Sequence, residues 1–84
     1  MRLPIIKHLV NFAESNDEDF IEETISVLEH LISARGIKEE ELDVIGELIS
    51  NMEGTLIVLK DIKSGTPQKE ALNAFMKRVT NIGQ

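Results

Sequence analysis

Leu42, Ile45, Ile49, Met52, Leu56 and Leu59 recur at intervals of three and four residues, and this row constrains the chain more than any other feature. Residues so spaced lie on one side of a helix and form a heptad seam. Val44, Leu48, Val58 and Ile62 widen the seam into a broad stripe. Glu39, Glu40 and Glu41 suit the positive end of a helix dipole. Thr55-Leu56-Ile57-Val58-Leu59 has the composition of a strand. The seam nevertheless passes through it unbroken, and no second strand exists to pair with it. The pattern predicts one long helix over residues 39–64.

Three further segments have helical periodicity. Pro4 opens the first, since proline is favoured in a first helical turn. Ile5, Ile6, Leu9, Val10, Phe12 and Ala13 follow at three- and four-residue steps, predicting a helix over 4–14. Ser15 and Glu18 have capping-box spacing and start the next, over 16–35. There Ile21, Ile25, Leu28 and Ile32 form one apolar row, and Phe20, Thr24, Val27 and Leu31 form its neighbour. Together they predict a wide buried face. Gly36 is placed to end that helix. Gly65 stops the third, and Thr66-Pro67 restarts the chain as cap and first turn of a fourth helix over 67–82. In it Leu72, Phe75, Met76 and Val79 share a face; Ile82 extends the row, and Gly83 frays the end. The fold class is all-α: a small four-helix bundle with a long third helix, in one domain spanning 1–84. The expected core is Ile21, Ile25, Leu28, Leu42, Ile45, Ile49, Met52, Leu56, Leu72, Phe75 and Val79.

A chain of 84 residues without cysteine has neither disulfides nor thiolate metal sites to steady it, which leaves oligomerisation. Geometry points the same way. A compact domain of this size is roughly 30 Å across, whereas a helix of about 26 residues is roughly 39 Å long. The third helix therefore either kinks at Gly54 or extends past its neighbours with Leu56, Ile57, Val58, Leu59 and Ile62. Gly46, Ser50 and Gly54 also form a ridge of small residues at four-residue spacing, opposite the seam and beside Ile57. Such a ridge lets another helix backbone come close; the competing reading is that Gly54 bends the helix. The expected interface is Gly46, Ser50, Gly54, Leu56, Ile57, Val58, Leu59 and Ile62, in a homodimer.

Charge adds to this. Residues 1–53 carry thirteen acids and four bases, and residues 54–84 two acids and five bases. Solvated faces and dipole-matched termini account for such a split, as do complementary surfaces that steer assembly. The overall −6, with Phe12, Phe20 and Phe75 as the three aromatics, argues against nucleic acid and anionic membrane as partners. Met1 to Val10 lacks the apolar core of a signal peptide. The longest apolar run, Leu56 to Leu59, is far short of a membrane span. The expected location is the cytoplasm.

Chemistry-bearing patterns are sparse. Neither His8 nor His30 has a glutamate three residues before it, the spacing that di-metal bundles use. Glu23 and His30 share a face, but two ligands do not make a site. Asp17-Glu18-Asp19 with Glu22 and Glu23 lacks the alternation and central glycine of a calcium loop. No glycine-rich phosphate loop is present. No catalytic, cofactor-binding or metal residue is assigned, and an enzyme is not expected.

The stretch from Glu40 to Met52 (EELDVIGELISNM), with the opening Met1 to His8 (MRLPIIKH) and the later Lys69 to Asn73 (KEALN), resembles a family of short, uncharacterised, all-helical bacterial proteins over nearly the whole chain. The resemblance brings no functional residue. It implies a setting beside thioredoxin-like and peroxiredoxin-like genes, and so a redox-associated protein partner to which a chain without cysteine would be an accessory. The expected function is a non-catalytic protein–protein interaction or self-associating module. The alternative is a helical bundle that holds a small molecule or metal between its helices.

Overall fold

In the computed structural model, which describes residues 1–82, the periodic segments become four helices: α1 (Leu3–Ser15), α2 (Asp19–Ile32), α3 (Glu39–Lys63) and α4 (Gln68–Ile82). No strand occurs among the described residues. The expected fraying at Gly83 lies outside them. Local chemistry sets the boundaries. Ser15 belongs to the last turn of α1 rather than capping α2, and the Asn16 side chain donates to the Phe12 carbonyl at 3.0 Å. The residue that turns the chain into α2 is Asp17, whose carboxylate accepts the Asp19 N–H at 2.9 Å. Helix α2 therefore starts three residues later than the capping-box spacing predicts, and it also ends three residues earlier, at Ile32. At the head of α3 the Glu41 carboxylate accepts the Lys38 N–H at 3.0 Å.

The end of α3 is a Schellman motif. The Gly65 N–H reaches the Ile62 carbonyl at 3.0 Å, and the Thr66 N–H reaches that of Asp61 at 3.1 Å. Gly65 has φ of +110°, a left-handed conformation that glycine adopts without steric cost.

The long helix is the spine. Helices α1, α2 and α4 each pack on α3; α1 also touches α2 and α4, while α2 and α4 do not meet among the described residues. Helix α2 runs antiparallel to α3, as the ion pair between Glu18 and Lys63 shows. Helix α1 starts at the middle of α3, where the Arg2 N–H donates to Asn51 Oδ1 at 3.0 Å. Helix α4 starts beside the end of α1, where Gln68 Nε2 donates to Asn11 Oδ1 at 2.9 Å and to Glu14 Oε1 at 2.8 Å. It then returns along α3 as far as Phe75 over Gly54.

The core is Ile6, Val10 and Ala13 from α1, Ile21 and Ile25 from α2, Ile49, Val58 and Leu59 from α3, and Ala71, Leu72 and Phe75 from α4. Five expected core residues lie in it: Ile21, Ile25, Ile49, Leu72 and Phe75. Leu28, Leu42, Ile45, Met52, Leu56 and Val79 are half-buried instead. The row of α3 that includes Asn51, Thr55 and Val58 is the more enclosed side of that helix. Its polar members stay satisfied: Asn51 Nδ2 donates to the Glu47 carbonyl at 2.7 Å, and Thr55 Oγ1 to that of Asn51 at 2.8 Å.

Candidate protein-binding face

Gly54 decides between the two readings of the small-residue ridge. A Cβ there would stand 2.8 Å from Phe75 Cζ and 3.3 Å from Met1 Sδ, so the glycine admits the ring of α4, and α3 runs through it unbroken. The close approach is within the chain. Gly46, two turns earlier, has nothing within 4 Å of its missing Cβ. Of the other expected interface residues, Val58 and Leu59 are buried in the core, Ser50, Leu56 and Ile62 are half-buried, and Ile57 is exposed. The C-terminal half of α3 does not project bare; α1 and α4 cover most of it.

The uncovered part is the other end. Between Glu39 and Ser50, Ile49 is the one buried residue. This half of α3 and the partner turns of α2 form an αα-hairpin. On α2, Val27 is 62% exposed and Phe20 53%; on α3, Val44 is 59% exposed. Leu48 is also exposed, and Leu31 is half-buried. The second α2 row, predicted to be buried, therefore lies largely open, because α1 reaches it at Phe20 and no described helix is laid across it beyond that point.

These residues share one side of the hairpin. At ~100° per residue, Val44 and Leu48 lie about a quarter-turn from the α3 residues that face α2, and Val27 and Leu31 lie about a quarter-turn from those on α2 that face α3. Measured from Ile21, Ile25 and Leu28 on α2 and from Leu42, Ile45 and Ile49 on α3, the two quarter-turns run in the same rotational sense, and in an antiparallel pair rotations of the same sense lead to the same side. Helix α1 already occupies that side over the other half of the hairpin, where Phe12 meets Phe20 edge to face with ring centroids 5.8 Å apart. The open face continues the seat of α1 beyond its N-terminus.

The overall dimensions are those of an extended rather than a compact arrangement. The Cα radius of gyration is 13.6 Å and the extents are 43 × 34 × 17 Å, against a radius of about 12 Å for a compact chain of this length. The accessible surface is 5886 Å², whereas a monomer of this mass exposes about 5,000 Å².

The rim of the face is acidic. Glu23 borders it on α2, and Glu40 and Glu47 border it on α3, all exposed. Residues 19–50 hold nine acids and two bases, a net of −7. Two of the shallow clefts among the described residues lie away from this face and open to solvent. One lies between the end of α1 and the end of α3, bordered by Glu14, Asp17, Glu18 and Lys63. The other lies between α1 and α4, bordered by Lys7 and Lys69. His8 and His30 are exposed, and among the described residues no three metal-ligating side chains gather.

The periodicity of α2 and α3 contained the signal for this face: two apolar rows per helix exceed what one hairpin partner can cover. Charge placement alone did not mark it. Residues 1–82 match the model of a family described as a family of unknown function, DUF6952. No curated protein and no solved structure matches the chain.

Proposed function

Since the chain belongs to this family of unknown function, we propose from its geometry that it is a non-catalytic protein-interaction module acting through the open face of the α2/α3 hairpin. The observation that carries the reading is that face: Val27 and Val44, exposed by 62% and 59%, lie on one side of two packed helices. Exposed apolar patches of this kind mark interaction sites in soluble proteins. No described helix is long and apolar enough to cross a membrane, and we place the module in the cytoplasm. A redox-associated partner would supply the thiols that this chain lacks. A second copy of the chain is the competing occupant, because a two-fold pairing of two such hairpins would complete a four-helix layer.

Photo-crosslinking in cells that make the protein tests the reading. A photoreactive residue at position 44 should yield a discrete adduct, and one at the exposed position 53, away from the face, should not. Val27→Asp should abolish the adduct. Equal labelling from both positions, or none from position 44, would refute the module.

A further inference from the structure

We infer that the occupant of the hairpin face is a basic amphipathic helix of about twelve residues from another protein; the inference rests on the interaction reading above and names its partner. Three observations converge on that chemistry.

The first is shape. Helix α1 lies across the same side of the hairpin over its other half, held at Asn51 by the Arg2 N–H and at Phe20 by Phe12. The complement of this surface is therefore a helix. The vacant stretch runs along α3 from Glu39 to Ser50. That is about 18 Å of helix axis, the length of a twelve-residue helix.

The second is the apolar strip. Val27 and Leu31 on one helix and Val44 and Leu48 on the other stand where they would meet apolar residues at helical spacing on a docked partner. The third is charge. Glu23, Glu40 and Glu47 flank the strip within a hairpin of net −7. Lysines or arginines beside the partner's apolar stripe would pair with them. A second copy cannot supply this through its own open hairpin, which has the same acidic rim. Pairing two such faces sets carboxylates against carboxylates, a like-charge juxtaposition that disfavours the wrong partner.

Full-length protein, a Leu/Lys amphipathic peptide of about 14 residues and a Leu/Glu peptide of the same apolar pattern form the test. Titration calorimetry at low and physiological salt measures binding, and light scattering measures mass. The Leu/Lys peptide should bind 1:1 to a monomer, more weakly as salt rises, and the Leu/Glu peptide should not bind. Val44→Asp should weaken binding at least about tenfold with little change in melting temperature, because Val44 is already exposed. Glu40→Lys with Glu47→Lys should weaken binding and flatten its salt dependence. No binding by the Leu/Lys peptide, or binding that Val44→Asp leaves intact, overturns the inference. A dimer at low salt that Val44→Asp dissociates also overturns it, while keeping the interaction module with a second copy as its occupant. The module itself falls only on the crosslinking result, so the two failures are distinguishable.

Discussion

Replacing Gly54 by alanine adds one methyl group 2.8 Å from Phe75 Cζ and 3.0 Å from Phe75 Cε2. The ring cannot swing clear cheaply: Phe75 is 4% exposed and packed in the core. Two effects compete. Alanine in a helix interior gains about 1 kcal/mol over glycine. Overpacking a close-fitted core costs about 1–3 kcal/mol, and a contact this short lies toward the costly end. The expected net effect of Gly54→Ala is destabilisation by about 1–2 kcal/mol, a fall of roughly 4–16 °C in melting temperature for a domain of this size. Gly46→Ala is the internal control. It lies in the same helix with nothing within 4 Å of the new methyl, so the propensity gain stands alone and the variant should be more stable by up to about 1 kcal/mol. Urea denaturation of both variants, and of Gly54→Ala combined with Phe75→Leu, reads the outcome. The double variant should recover part of the loss, because the shorter side chain withdraws the clashing atoms. If Gly54→Ala stabilises as much as Gly46→Ala, Phe75 does not press on Gly54 and α4 docks on α3 in another way.

Asn51→Ala should cost about 1–3 kcal/mol, since it removes the acceptor for the Arg2 N–H; it should also raise proteolysis of the first turn of α1, and unchanged cleavage there would count against the anchor. Ile49→Ala, at a core position, should cost roughly 2–5 kcal/mol in urea denaturation, and Leu28→Ala, at a half-buried one, clearly less; equal losses would mean that the hairpin is covered in solution. Lys63→Met should change stability by no more than about 1 kcal/mol, because Lys63 is solvent-exposed and its partner Glu18 half-buried at the surface; a larger loss in thermal melts would show that the pair fixes the docking of α2.

The helices were legible because each signal had a local cause. Apolar residues at three- and four-residue steps, Pro4, and a glycine at position 65 act through neighbouring residues, so sequence alone locates them. The shift at the start of α2 arises because Ser15 and Asp17, two positions apart, can both turn the chain into a helix, and α1 runs on through Ser15 and leaves the turn to Asp17. The enclosed side of α3 was harder to read. Asn51, Gly54 and Thr55 look like a polar gap in an apolar stripe. They are buried because α1 and α4 arrive there, and nothing in their spacing announces those long-range contacts. The same cause left the open face half-read. The second apolar rows of α2 and α3 announce more apolar surface than one hairpin partner covers, and the placement of α1 over the far half shows that the near half is the one without cover.

One spine serving two differently supported halves has a dynamic consequence. The C-terminal half of α3 is locked among three helices, while residues 39–50 lean mainly on α2. Backbone amides along this single helix should therefore exchange with solvent by different routes. Those near Thr55 and Val58 should open only when the whole domain unfolds, and those near Val44 should open together with the distal turns of α2 in a smaller, cheaper excursion. A ligand seated on the hairpin would add its binding free energy to the closed form. Exchange near Val44 would then slow even though the fold elsewhere is unchanged, and the tip of the hairpin would report occupancy through its own breathing.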